Sequence, residues 1–424
     1  AAAGGSTAVS VCVWYVSKYV AMPAAGRGGT RGFMIMRELA RMGHRCVIMT
    51  SDSNQLADVP QFEGPHFTTT INDVKVSWVR TLKYRTAKSL RRILSWLDFE
   101  WRLWRLPKDE LPRPDAVIVS SLSLLTIFNG LWMRRRYGSR LIFEVRDIWP
   151  LTITEEGGYS RYNPFVFALA MIERLAYRSA DAIVGTMPNL QQHVEEVLGR
   201  SCPVHCIPMG VDETLLSEPE PLPTEYEAAH IPNGKFLVCH AGTIGITNAL
   251  DTLFECARAM RDHSDIHFLV VGDGDLRAHY QAACADLPNV TFAPAVPKKM
   301  VQSVLRHCDL LYFSVHASKV WAYGQSLNKV IDYMLAGKPI VASYTGFPSM
   351  INESGGGVFV PAEDVEALRK EILRYTELPA EKRETIGAAG RAWLLHNRSY
   401  RTLAENYLKL IEPNATTRCK ETTP

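Results

Sequence analysis

Residues 323–339 read YGQSLNKVIDYMLAGKP, and this stretch decides the architecture around it. It lies between two short apolar runs, 309–315 and 339–343, each with the length and composition of a buried strand. Between them a polar loop with Tyr323, Gly324, Ser326 and Asn328 opens a helix expected over 329–336, with Gly337 as its stop. Strand, loop, helix, strand is the unit of a doubly wound α/β domain. A helix start gathers N–H groups without intrahelical partners, so it attracts anions. Lys329 on the first turn adds a cation for a phosphate, and Asp332 one turn on could accept from a sugar hydroxyl. The stretch is therefore expected to hold a nucleotide-sugar.

The same unit recurs outward from it. Upstream come strands at 236–240, 267–271 and 290–292 and helices at 249–261 and 298–307; downstream come a strand at 358–360 and a helix at 365–375. Gly242, Thr243 and Gly245 follow the first of these strands, and Gly272-Asp273-Gly274 the second. His240, at a strand end, reads as a core histidine in preference to a ligand contact. Helices at 382–395 and 400–411 close the chain, the last expected to return to the first domain, before a polar tail. Residues 213–233, rich in Pro and Glu and without periodicity, read as an interdomain linker.

The first half repeats the architecture without repeating the sequence. Strands are expected at 8–16, 45–50, 74–79, 115–120, 141–145, 181–185 and 204–208, with helices at 33–42, 164–177 and 190–198. A long loop with Gly26, Gly28, Gly29 and Gly32 precedes the first helix. Its spacing is not that of a dinucleotide fingerprint. Gly28, Gly29 and Arg31 together at a helix start nevertheless suit a phosphate. The expected organisation is a first Rossmann-like domain over 1–212, a linker over 213–233, a second Rossmann-like domain over 234–395, and a crossover helix and tail over 396–424.

Length and composition agree with that plan. A chain of 424 residues is too long for one ordinary core. A net charge of +3 excludes a nucleic-acid binder by composition. Nine cysteines, an odd number and several inside apolar runs, suggest reduced thiols. Cys202, His205 and Cys206 lie together, but no second ligand pair has zinc spacing, so no metal is expected. No apolar run approaches the ~20 residues that span a bilayer. The opening AAAGGST reads as a processed end and carries no fold argument.

Two segments stand apart. In 83–106, Leu90, Ile93, Leu94, Leu97, Trp101 and Trp104 form a stripe at helical spacing, with Trp96 and Phe99 off it. Lys83, Arg85, Lys88, Arg91, Arg92, Arg102 and Arg105 surround it against only Asp98 and Glu100. Such a helix suits an anionic membrane surface, where rings sit at headgroup depth and cations meet lipid. The alternative is a core-facing helix with a solvated basic face. Arg134, Arg135 and Arg136 form a second basic run. The other segment, FEVRDIWP over 143–150, places Glu144, Arg146 and Asp147 at the end of a strand, where open α/β sheets carry their sites. Arg146 and Asp147 are candidates for the reacting centre, or for an ion pair that caps the next segment.

With these residues in view, the chain resembles glycosyltransferase family 4, retaining enzymes of the GT-B fold. The resemblance runs from about Val11 to Ile411 through the Gly28–Arg31 loop, IPMGVD at 207–212, HAGTIG, VVGDGDL and SLNKVIDYMLAGKPIV. It is closest to the subset that builds bacterial surface polysaccharides, where some members add N-acetyl-fucosamine-type sugars to polyprenyl-diphosphate-linked acceptors. The resemblance implies two Rossmann-like domains facing a central cleft. It implies transfer from a nucleotide-sugar, UDP-linked by expectation, with retained configuration and without metal or cofactor. It implies an enzyme at the cytoplasmic face of the inner membrane, with a lipid-linked saccharide as acceptor. Asp332 matches the ribose-binding acid, Gly242, Thr243 and Gly245 the loop near the diphosphate, Val296 the backbone contact to the base, and Gly28 and Gly29 the loop over the phosphates. Tyr323, Gly324, Asn328 and Lys329 complete the donor set.

The departures are specific. The family's acidic residue eight positions before the ribose acid is Gly324 here, and the basic residue after the second glycine loop is replaced by Ile246, Thr247 and Asn248. Lys329 is then the cation expected to stabilise the leaving diphosphate. Arg146 falls near a position where many relatives have histidine, and Leu327 replaces the subset's proline. Two other classes share the shape: nucleotide-sugar 2-epimerases, which need no lipid acceptor, and non-catalytic sugar-nucleotide-binding scaffolds.

Overall fold

The computed structural model describes residues 10–23, 29–54, 59–84, 90–121, 123–212 and 216–411. The chain divides into two compact units, one of residues 1–208 with 400–424, the other of residues 209–399.

The first unit is built on eight strands: β1 Cys12–Val16, β2 Arg45–Ser51, β3 His66–Ile71, β4 Val74–Val79, β5 Ala116–Ser120, β6 Arg140–Val145, β7 Ala182–Gly185 and β8 Val204–Cys206. They lie in the order β3-β4-β2-β1-β5-β6-β7-β8, all parallel except the β3–β4 hairpin at one edge. The β1 and β5 strands are buried throughout, as parallel strands covered on both faces must be. β3 escapes the sequence reading because HFTTTI is a half-exposed edge strand, without the apolar run that marks its neighbours. The helix Thr126–Tyr137 was also not anticipated beyond its basic end. The closing helix Tyr400–Ile411 packs Leu403, Tyr407 and Leu410 into the first unit's core with Phe33 and Met36 of the helix Arg31–Arg41.

The second unit has six parallel strands: β9 Phe236–Ala241, β10 Ile266–Val271, β11 Val290–Ala293, β12 Leu310–Ser314, β13 Ile340–Ser343 and β14 Gly357–Val360. Their order, β11-β10-β9-β12-β13-β14, is the doubly wound 3-2-1-4-5-6 arrangement. Successive connections leave β9 on one side and β12 on the other, so a crevice opens at the carboxyl ends of that pair. The Pro/Glu-rich stretch is packed onto this unit. It contains a short helix, Thr224–His230, and buries Leu222 and Ile231 against the core. Its lack of periodicity reflects a helix of only seven residues.

Cys12, Cys46, Cys239, Cys256, Cys284 and Cys308 are buried thiols, whereas Cys202 is disulfide-bonded, which departs from the expectation of reduced thiols. No described helix is long and apolar enough to cross a membrane.

Candidate functional site

The stretch at 323–339 folds as its sequence suggests, and its helix, Asn328–Ala336, packs Val330 and Met334 with Leu237 and Cys239 of β9 and is clipped to that strand by Tyr333. Tyr333 Oη accepts from the Ala241 backbone N–H at 2.8 Å and donates to the Ala241 carbonyl at 3.1 Å. Gly337 ends the helix in the left-handed region, φ 67°. The loops after β9 and β10 then meet backbone to backbone: a Cβ at Gly272 would lie 1.8 Å from the Gly242 carbonyl oxygen. Only glycine permits that approach. Arg277 fastens the arrangement by donating to the carbonyls of Gly272 and, at 2.9 Å, Ala293.

These contacts leave a cavity of about 560 Å³ at the carboxyl ends of the strands. Gly242, Thr243, Val296, Asn328, Lys329 and Asp332 all line it, six of the donor residues expected from sequence brought into one place. Gly245, Tyr323 and Gly324 do not line it. Tyr323 is buried, and Gly324 sits at φ 96° where the chain turns towards the helix. Gly28 lies outside the described residues. Gly29 belongs to the first unit, close-packed against Pro23 and Phe33.

Lys329 reaches across the cavity floor to donate to Asn248 Oδ1. Asn248 is aimed by its own amide, which donates to the Thr243 carbonyl at 2.8 Å. Burial pulls the Lys329 ammonium down to about 8. His240 lies beneath it, fully buried, and neither ring nitrogen makes a hydrogen bond of ordinary geometry. Burial first, then the Lys329 charge, holds its imidazole neutral, down at about 3. It is a core histidine as expected, met by the backbone of Thr243 and Tyr312. Asp332 is paired with a residue that the sequence did not single out. Lys298 Nζ lies 2.6 and 2.5 Å from its two carboxylate oxygens and lines the same cavity. Burial raises the Asp332 carboxyl, and Lys298 opposes the rise. A signal for Lys298 existed: Pro297-Lys298-Lys299 follows a parallel strand, the end of the sheet where sites form.

The first unit answers differently. Arg31, grouped with Gly28 and Gly29 as a phosphate contact, is buried and fully engaged. Its guanidinium meets Glu144 and the Ile207 carbonyl, and Nε donates to the Pro208 carbonyl at 2.8 Å. Tyr407 donates to the same carboxylate, and Tyr15 does so at 2.7 Å. Burial alone would raise Glu144, but Arg31 and then Arg146 hold it down at about 2. Arg31 is thus a structural tether between the first helix, β6 and the closing helix. Arg146 and Asp147 sit just past β6, Asp147 exposed and Arg146 half-buried. Surrounding protein raises the Asp147 carboxyl, with Arg146 and then Arg92 opposing it.

The basic segment forms the helix Leu90–Arg105. Arg85 and Lys88 lie outside the described residues, as does the Leu90 side chain. The core face lies off the stripe, which excludes the core-facing alternative for Leu94, Leu97, Trp101 and Trp104. It is Trp96, Phe99 and Leu103, with Trp96 only 5% exposed and its indole N–H donating to Tyr19 Oη at 3.0 Å. Trp96 is therefore corrected from a surface residue to a core one. Leu94, Leu97, Trp101 and Trp104 lie on the opposite side and are exposed, Trp101 to 56%. Arg91, Arg102 and Arg105 are exposed beside them, Arg105 over the Trp101 ring at 5.5 Å and Arg102 paired with Asp98 at 2.7 Å. Arg92 is half-buried over the Trp96 ring at 5.3 Å.

Two family models match the chain: a glycosyl transferase 4-like domain over residues 28–210 and glycosyl transferases group 1 over residues 235–377. No curated protein matches. Among solved structures, sucrose-phosphate synthase from Thermosynechococcus elongatus is 14% identical with a TM-score of 0.67, covering 94% of this chain and 98% of its own. Trehalose-6-phosphate from E. coli bound with UDP-2-fluoro glucose is 12% identical with a TM-score of 0.69, covering 95% and 99%. Anabaena HepE in complex with UDP-glucose is 13% identical with a TM-score of 0.61, covering 94% and 98%. At such identities the likeness establishes the fold.

Proposed function

We propose that this chain, which belongs to the glycosyltransferases of GT-B type, moves a sugar from a UDP-linked donor to a polyprenyl-diphosphate-linked saccharide in bacterial surface polysaccharide assembly. The observation that carries the donor half is the convergence of Gly242, Thr243, Asn328, Lys329 and Asp332 on one cavity at the carboxyl ends of β9 and its neighbours. The glycine loop lets a diphosphate approach the backbone, and the helix start with Lys329 stabilises the charge that grows on the leaving phosphate. Asp332 accepts from the ribose hydroxyls, and Val296 faces the base. Neighbouring folds that bind UDP-sugars support this reading. Transfer retains the anomeric configuration and uses no metal. Arg146 or Asp147, on the first unit, contacts the acceptor, and the transferred sugar is of the hexose or N-acetylhexosamine class.

The acceptor half rests on the helix Leu90–Arg105. An apolar stripe that faces away from the core, flanked by arginines, suits a peripheral enzyme on the cytoplasmic face of the inner membrane. A 2-epimerase would have no use for it.

The test is direct. Thermal shift with a panel of nucleotide-sugars identifies the donor, because a ligand held only by the folded state stabilises it. Transfer to a polyprenyl-diphosphate-linked N-acetylhexosamine is then measured with EDTA present, and the product's anomeric configuration is read by NMR. A UDP-sugar that binds without any transfer to lipid-linked acceptors would sink the transferase reading in favour of a scaffold. Inverted product would sink the retaining mechanism.

A further inference from the structure

The first unit holds a second cavity, of about 210 Å³, between the helix Leu90–Arg105 and the helix Pro164–Ser179. Its walls are almost wholly apolar, among them Trp96, Leu97, Trp149, Phe165, Ala168 and Ile172. Trp96 and Trp149 meet edge to face with ring centroids 5.5 Å apart. Both helices carry apolar side chains out from this place into solvent. On one they are Leu94, Leu97, Trp101 and Trp104; on the other Phe167, Met171 and Leu175, Phe167 exposed to 67%. A monomeric surface rarely leaves so much apolar area uncovered without a partner. Arg92 stacks over the ring of Trp96 itself, 5.3 Å from its centroid.

We infer that this cavity seats the first isoprene units of a polyisoprenyl diphosphate, with its diphosphate against Arg92. The inference rests on the lipid-linked acceptor reading and adds the subsite that reads the lipid. An apolar chain and an anionic diphosphate head match an apolar slot with the Arg92 guanidinium over one of its walls. The volume falls below that of a drug-sized pocket, so it takes the head-proximal part of the chain and leaves the rest to the exposed stripes. The fixed tryptophan pair makes the slot a preformed one, distinct from the bilayer contact that the stripes make on their own.

The experiment uses the purified full chain with farnesyl diphosphate as the probe and inorganic diphosphate as the chainless control, both by calorimetry. Farnesyl diphosphate is expected to bind at least about tenfold more tightly, since its chain buries apolar surface that the control lacks. Ala168→Trp, at an exposed position that lines the slot, is expected to erase that advantage. It should leave the melting-temperature rise given by UDP unchanged and still bind phosphatidylglycerol vesicles. Leu97→Asn, also at an exposed position, provides a second route to the same loss if the first variant misfolds. Equal binding of the two probes overturns the inference, as does undiminished farnesyl diphosphate binding in the folded variants. Parallel loss of vesicle binding in Ala168→Trp also overturns it, because the slot would then only support the bilayer contact. Prenyl binding without sugar transfer would instead strike the function proposed above and leave this site standing.

Discussion

Two helix starts in this chain carry the same written signature and do opposite things. Each follows a strand and a loop containing glycine, and each has a cation on its first turn: Arg31 in the first unit, Lys329 in the second. Both cations are largely buried. Arg31 is enclosed by a carboxylate, two backbone carbonyls and a phenol that all belong to its own unit. Lys329 has a neutral amide, Asn248, and an open cavity. A buried cation that already holds its counter-charge is architecture. One that holds only an amide beside empty space is arranged for a charge that arrives with a ligand.

The largest effect should come from breaking the first arrangement. Arg31→Met leaves Glu144 buried with only phenols beside it and Arg146 in electrostatic range. Removing one partner of a buried pair costs about 3–5 kcal/mol. Urea denaturation should show that loss, and a loss under about 1 kcal/mol would mean that Arg31 is not the tether described. Lys329→Met should behave oppositely. Relief from desolvating the ammonium is offset by orphaning Asn248 Oδ1, so stability should change by under about 1 kcal/mol. Catalysis should instead fall about 10²–10³-fold in kcat/KM, the range seen when one donor to a developing oxyanion is removed. Steady-state kinetics with the identified donor checks this. Unchanged transfer would remove Lys329 from the site.

The strand pattern of both units was legible because parallel strands buried on both faces are continuous apolar runs, as in VCVWYV and HFLVV. The donor loop and helix were legible because glycine, a first-turn cation and an apolar helix face lie within one short stretch. The partners were not. Glu144 is 113 residues from Arg31, and Lys298 is 34 residues from Asp332. A local reading therefore sees the cation but not whether its charge is already met. The helix Leu90–Arg105 shows the same limit in another form. It is apolar on two opposite sides, and periodicity alone selects the stripe with more tryptophan and leucine, whereas packing buries Trp96, Phe99 and Leu103.

A smaller effect separates the two cations by pH. Arg31 stays charged throughout, whereas Lys329 titrates near 8 in the folded protein against 10.5 when free. The unfolded chain therefore binds more protons between those values, and stability should rise with pH across that window. In the folded protein the ammonium that a diphosphate needs is lost as pH passes about 8. Donor affinity should fall about tenfold between pH 7 and 9 if only the charged form binds. Lys329→Arg should flatten that fall, because the guanidinium does not titrate there. A flat profile in the parent protein would place the diphosphate elsewhere.

The smallest effect concerns the two carboxylates that mirror these cations. Glu144 and Arg31 have no exposed side-chain surface, whereas Lys298 is 38% and Asp332 14% exposed. An ion pair open to solvent contributes little, so Lys298→Met should lower stability by under about 1 kcal/mol. Its signature lies in the titration of Asp332. Burial already raises that carboxyl and Lys298 restrains it, so removing the ammonium should raise it further. A protonated Asp332 is a poorer acceptor for a ribose hydroxyl, and the acid limb of the donor-affinity profile should therefore move to higher pH. Asp332→Asn should lower affinity at every pH and abolish that limb. If Lys298→Met instead destabilises the protein as severely as Arg31→Met, then Lys298 and Asp332 form a second tether, and the ribose must be held by other groups in the cavity.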